Sequence, residues 1–154
     1  MRIIVLTAVL LAAPFGVAEA YWSYAQWGMT ETQLVSASGG HAVPCRPGVP
    51  VCARPPGGVA PSHFVESLTM VGMQASASFA FDGQGRLNQT AVLFPNTDIE
   101  LMSGLLQGVH GQPVEDRPGN PPARVWRDER RGSVLTATPA GQGVWLLYQP
   151  AAAQ

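Results

Sequence analysis

Alternating apolar and polar residues recur through most of the chain after Phe64, and this two-residue period is typical of strands with one buried face. The first run extends to Phe94 and contains the sequence Asp-Gly-Gln-Gly at residues 82–85, which favours a hairpin turn. An earlier strand is expected over residues 65–73. The same pattern predicts three later strands, at residues 124–127, 133–138 and 144–148. Such a chain must build an antiparallel sheet.

Two segments have helical periodicity instead. The first covers residues 30–39, where Thr30 and Gln33 have the spacing of a capping box and two glycines follow the last helical residue. A second, stronger helix is expected after a cap at residues 96–98 and should end at Gly111. Its apolar residues recur at helical spacing: Ile99, Leu101, Met102, Leu105, Leu106 and Val109.

The order of these elements predicts the fold class. A helix followed by three strands occurs twice, which indicates an α+β fold with two short helices packed on one face of an antiparallel sheet. The repeated order also raises the hypothesis of a duplicated helix-plus-three-strands unit, although the residue identity between the halves is thin. The length that remains after residue 20 fits one domain rather than two.

Residues 1–20 have the pattern of a secretory signal peptide. A basic second residue precedes an apolar run, and the small residues Ala18 and Ala20 form a cleavage site before Tyr21. The alternative is an uncleaved membrane anchor, but the run is shorter than the roughly 20 residues of a spanning helix and contains a proline. No cysteine follows the cleavage site, so we expect no lipid anchor. The predicted mature protein, residues 21–154, is periplasmic or secreted and not integral to the membrane.

Cys45 and Cys52 are the only cysteines, and they lie in a Pro/Gly-rich segment at residues 41–62 that has no periodicity. An oxidising compartment favours a disulfide between them, which would close a surface loop. The alternative is a zinc site, since His41 and His63 bracket the loop and provide ligand types that zinc prefers. The spacing lacks the close C-x-x-C pairing of structural zinc sites. We therefore expect a disulfide and no metal.

Charge and motifs narrow the function classes. The formal net charge is −1, which argues against a broad nucleic-acid-binding surface. Every basic residue is arginine, and this usage resembles that of GC-rich bacterial genomes. No G-x-S-x-G nucleophile motif is present, so we expect a non-enzymatic protein without a cofactor. The alternative function is a small exported hydrolase or metal-dependent enzyme that uses residues near His41 and His63.

Two stretches resemble a known group of domains. Gly28, Met29, Thr30, Gln33 and Leu34, followed later by a Leu-Leu helix that ends in Gly-Gln-Pro at residues 111–113, are similar to BamE/SmpA-like and beta-lactamase-inhibitor-like domains. The resemblance implies helices packed on an antiparallel sheet and a function in binding an envelope protein partner, as an inhibitor or an assembly factor, without catalysis. The chain has no lipid-bearing cysteine of the kind found in the envelope assembly lipoproteins.

Two groups of residues are candidates for binding. The aromatic group stands at the expected new amino terminus and would either fold onto the sheet or contact a partner: Tyr21, Trp22, Tyr24 and Trp27. The second group lies on a predicted hairpin and includes Arg124, Trp126 and Arg127. Alternation along a strand should point Arg124 and Trp126 to the opposite face from Arg127. The alternative to a binding patch is therefore a solvated hairpin with local ion pairs.

Overall fold

One antiparallel sheet organises the part of the chain that the structure, a computed structural model, describes, namely residues 24–152. Two α-helices precede its two halves, α1 (Glu31–Ala37) and α2 (Ile99–His110), and a single turn of 3-10 helix spans Pro50–Cys52. The strands are β1 (Val43–Pro44), β2 (His63–Met70), β3 (Met73–Phe81), β4 (Leu87–Pro95), β5 (Glu115–Arg117), β6 (Ala123–Asp128), β7 (Ser133–Ala140) and β8 (Gly143–Pro150).

The sheet consists of two four-stranded meanders that meet in the middle. Its order is β1-β2-β3-β4-β8-β7-β6-β5, and every pair is antiparallel. The two halves join where β4 pairs with β8, in a register that runs from Thr90 opposite Tyr148 to Pro95 opposite Gly143. The shortest strands therefore lie at the two outer edges, and the longest strands lie in the centre.

The predicted α+β fold is wrong, because strands account for 42% and helices for only 17% of the described residues. Four strands follow each helix, not three, since β1 and β5 were missed. Strands of two or three residues are too short for a two-residue period to be detected. The predicted strand at residues 65–73 is the end of β2, a turn at Val71 and Gly72, and the first residue of β3. The helices are short, so the sheet dominates the fold.

Both helices begin as their caps predict. Thr30 Oγ1 accepts a hydrogen bond from the backbone N–H of Gln33 at 3.3 Å, and Gln33 Oε1 accepts one from the Thr30 N–H at 2.9 Å. At α2, Asp98 Oδ1 accepts from the backbone N–H groups of Glu100 and Leu101. Each cap satisfies donors that have no partner within the helix, which stabilises a helix by about 1 kcal/mol.

The core has two parts, one on each face of the sheet. The helices cover the larger part, to which α1 contributes Leu34 and α2 contributes Met102 and Leu106. Alternate residues of the central strands point to this face, as expected for a pleated strand. They include Ala77, Phe79, Val92, Phe94, Trp126, Leu135, Val144 and Leu146.

Residues 41–62 cover the opposite face instead of forming only a surface loop. Val51 of the 3-10 turn is buried against Phe64, Ala91 and Leu147. The buried amide of Gln89 holds the same segment, because its Oε1 accepts from the Val59 N–H at 2.8 Å and its Nε2 donates to the Val59 carbonyl at 2.9 Å. The segment is therefore a packed cover over the central strands.

The predicted disulfide is confirmed. Cys45 and Cys52 are bonded, with their Cα atoms 5.6 Å apart, and the described residues contain no other cysteine. The bond closes the part of the cover that carries Val51.

Gly143 occupies the tightest backbone contact between the two halves. A Cβ at this position would lie 2.5 Å from the Phe94 carbonyl oxygen and 3.3 Å from the Cα of Pro95. We expect Gly143→Ala to lower the free energy of unfolding by about 1–3 kcal/mol, because backbone atoms must move to admit the methyl group. Gly83→Ala is the matched control, since a Cβ there meets nothing within 4 Å. Urea unfolding of both variants checks the prediction, and equal stability of the two would contradict it.

The disulfide should act locally and modestly. Its cysteines are 7 residues apart, and closing so short a loop stabilises a protein by about 2 kcal/mol in the loop-entropy description. We expect a Cys45→Ser/Cys52→Ser double variant to lose about that amount in urea unfolding. A reducing agent should shift the wild-type transition to that of the variant and leave the variant unchanged. A variant as stable as the oxidised wild type would refute this role.

Candidate functional site

The outward side of α2 exposes large apolar side chains. Leu101 is 55% exposed, Leu105 36% and Val109 69%, and these residues lie four apart on one side of the helix. Gly104 and Gly108 lie beside them and are also exposed. We call these five residues the α2 outer face. Val114, just beyond the helix, is 59% exposed.

An exposed helix in a globular protein usually presents several charged residues to water, whereas α2 presents one carboxylate, that of Glu100 in its first turn. Its acidic residue, Glu100, is turned towards β6, where Arg124 holds the carboxylate through hydrogen bonds of 3.0 Å from Nη1 and 2.7 Å from Nη2. The Arg124 guanidinium lowers the pKa of Glu100 below its ordinary value. The five residues of the α2 outer face are uncharged, and Glu100 lies at their N-terminal end.

The two glycines have no evident role within the chain. A Cβ built at Gly104 or Gly108 would meet nothing within 4 Å, so alanine would fit at both positions. Glycine in a helix interior is about 1 kcal/mol less favourable than alanine. Glycine does lower the helix surface, which permits another backbone to approach closely. The α2 outer face thus has the shape of a contact surface.

A polar cleft of about 450 Å³ adjoins the C-terminal end of this face and shares Val109 with it. We call it the arginine cleft. Its other lining residues come from the end of α2 and from the turn between β6 and β7: His110, Arg127, Asp128, Glu129, Arg130 and Arg131. The cleft contains three guanidinium groups and two carboxylates, so it has an excess of positive charge.

His110 is the buried titratable group of this cleft. Its side chain is 9% exposed, and Nδ1 lies 3.9 Å from Asp128 Oδ2. Burial lowers the pKa of His110 from its usual value of 6.5; Asp128 opposes this shift and Arg131 adds to it. Desolvation outweighs the single carboxylate, so the neutral ring is favoured at pH 7.

Two of the four aromatic candidates, Tyr24 and Trp27, lie within the part of the chain that the structure describes. Tyr21, Trp22 and the predicted cleavage site after Ala20 lie outside the described residues. Tyr24 and Trp27 are half-buried and pack against the helix-side core. Trp27 Nε1 donates to Ser133 Oγ at 3.0 Å, and burial raises the pKa of Tyr24.

The hairpin candidates do not form one patch. Trp126 is fully buried, and its Nε1 donates to the Gly111 carbonyl at 3.0 Å, which ties β6 to the end of α2. Arg124 lies at the opposite end of α2, between Glu100 and Asp116. Arg127 is exposed and lines the arginine cleft.

The residues near the two candidate histidines do not form a hydrolase triad. Ser62 Oγ lies 3.0 Å from His63 Nδ1, but the nearby acid, Glu31, lies 3.3 Å from the serine and not on the far side of the imidazole. In a triad the acid orients the histidine. The His63 ring packs edge-on against Phe81, and His41 is exposed.

The zinc alternative fails on its ligands. Cys45 and Cys52 are bonded to each other and so present no thiolate to a metal. Within residues 24–152 there is no group of three or more His, Cys, Asp and Glu side chains that could hold a metal ion.

Sequence reasoning missed the α2 outer face because helical spacing alone does not show which apolar residues of the helix are buried. Met102 and Leu106 are buried, whereas Leu101, Leu105 and Val109 are not. The signal was present, since Leu101, Leu105 and Val109 lie along one margin of the apolar stripe, beside the glycines and away from Met102 and Leu106.

The buried His110 should make stability depend on pH. Its pKa is lower in the folded than in the unfolded protein, so the unfolded state binds more protons and stability falls as the pH decreases below about 6.5. Above that pH the imidazole is neutral in both states, so the protonation of His110 no longer lowers the stability of the fold. We expect the His110→Gln variant to lose part of this dependence. NMR titration should place the His110 pKa below 6.5 in the wild type and lower still in Asp128→Asn; a wild-type value above 6.5 would contradict the assignment.

Comparison with protein-family models, curated proteins and solved structures finds no match to this chain. Among the described helices, none is both long and apolar enough to cross a membrane.

Proposed function

We propose that this chain is an exported, non-enzymatic protein-interaction module that binds a partner through the α2 outer face. One observation carries the proposal: three large apolar side chains and two glycines of α2 are exposed on one side of the helix, and the Glu100 carboxylate at its N-terminal end is held by Arg124. A contiguous apolar surface rimmed by polar residues is typical of a protein-binding site. The arginine cleft supplies such a rim at one end.

The location rests on two features. The pattern of residues 1–20 predicts export, and the bond between Cys45 and Cys52 fits an extracytoplasmic protein. We therefore propose that the protein acts in the periplasm or the medium. The resemblance to BamE/SmpA-like and beta-lactamase-inhibitor-like domains supports a binding role there, as an inhibitor or an assembly factor.

Site-specific photo-crosslinking tests this function in cells that produce the protein. A photoreactive residue at position 109 should form a protein adduct in the extracytoplasmic fraction, because Val109 is the most exposed of the three apolar side chains. The same residue at position 59 is the matched control, since Val59 is 46% exposed and belongs to the cover on the other face of the sheet.

The yield of adduct decides the matter. We expect at least about a tenfold higher yield at position 109 than at 59, because partner burial excludes water from a contact surface but not from an open one. Equal yields, or no adduct at position 109, would refute the α2 outer face as the binding surface. The mass of the adduct identifies what is bound.

A further inference from the structure

We propose that the occupant of the α2 outer face is a second copy of this chain, in a two-fold symmetric dimer with the two α2 helices antiparallel. This inference rests on the proposed function and names its partner. It follows from three properties of the described residues: the spacing of the apolar side chains, the charges at the two ends of α2, and the state of the sheet edges.

The apolar side chains are evenly spaced about the middle of the helix. Leu101, Leu105 and Val109 are separated by four residues each, so an antiparallel copy centred on Leu105 places Leu101 opposite Val109 and Leu105 opposite its own counterpart. Gly104 and Gly108 lie beside this line with open space above them. Two such surfaces can approach closely because neither presents a long side chain at the glycines.

The two ends of α2 carry opposite excess charge. Around the N-terminal end, Asp98, Glu100 and Asp116 outnumber Arg124 by three to one. At the C-terminal end, the arginine cleft contains three arginines and two acids. An antiparallel pair brings each acidic end beside the basic end of the other copy, twice in one dimer. A parallel pair would place like charges together, so charge selects the antiparallel arrangement.

The edges of the sheet are poorly suited to pairing with a second copy. β1 covers only the start of β2, and the rest of β2, up to Met70, contains the charged Glu66 and a register shift between Val65 and Leu68. The edge strand β1 has two residues, one of which is Pro44, and β5 consists of the charged residues Glu115, Asp116 and Arg117. Very short strands, proline and charge are the features that prevent sheets from pairing edge to edge. The α2 outer face is therefore better suited to self-association than the edges of the described sheet.

Sedimentation velocity of the purified full-length protein, measured up to about 100 μM, tests the dimer. We expect twice the mass of one chain for the wild type and one chain for Leu105→Glu, because the substitution opposes two carboxylates at the symmetry axis. The expected increase in the dissociation constant is at least about 100-fold. Val59→Glu adds the same charge to the opposite face and should remain dimeric. Val109→Glu repeats the test at a more exposed site, and circular dichroism confirms that each variant is folded.

Cysteine crosslinking tests the orientation. Leu101→Cys mixed with Val109→Cys should form a covalent dimer between the two variants under mild oxidation, since the antiparallel pair places these positions opposite each other, whereas Leu101→Cys alone should not. A parallel pair would give the reverse result. A wild type that is monomeric throughout the range would overturn the dimer. It would leave the proposed function intact if position 109 still crosslinks to a different protein. A dimer that survives both glutamate substitutions would overturn the assignment of α2 as its interface.

Discussion

The pairing of β4 with β8 is the contact on which the rest of the structure depends. It joins two meanders that would otherwise each end in a long unpaired strand, and it buries side chains on both faces at once. Val92 lies opposite Leu146 on the helix side, and Ala91 lies opposite Leu147 under the disulfide-closed cover. The junction requires a close backbone approach, which Gly143 permits because it has no Cβ. Each half of the chain thus completes the core of the other.

This arrangement determines what α2 can bury. The central strands already provide most of the helix-side core, so α2 adds its inner residues Met102 and Leu106, with Ile99 packed beside them and Ser103 buried. The hydrogen bond from Trp126 to Gly111 then fixes the end of the helix over β6. The C-terminal end of α2 is thus held on the sheet, and Leu101, Leu105 and Val109 remain exposed. The outer face is exposed as a consequence of the fold.

The local signals in the sequence predicted local structure well. The capping residues Thr30 and Asp98, the turn at residues 82–85 and the bond between Cys45 and Cys52 are all present, since each depends on a few neighbouring residues. The sheet edges were missed because short strands exist only through pairing with distant segments, which no local pattern reports. The candidate site was missed for a similar reason. The helical spacing of the apolar residues shows a stripe on α2 but does not show how much of that stripe the sheet covers.

The magnitudes of the interactions indicate how tightly the outer face can bind. Fully burying an aliphatic side chain contributes about 1.5–3 kcal/mol. Leu101, Leu105 and Val109 are already partly buried, so burying the rest of each side chain in a dimer contributes about 1 kcal/mol. Three such residues on each of two copies contribute about 6 kcal/mol. Association costs at least about 4 kcal/mol, so apolar contact alone leaves little surplus. The charges at the two ends and the close approach at the glycines must supply the remainder. The dimer should therefore form and dissociate with concentration, which would leave the same face available to a partner that binds it more tightly.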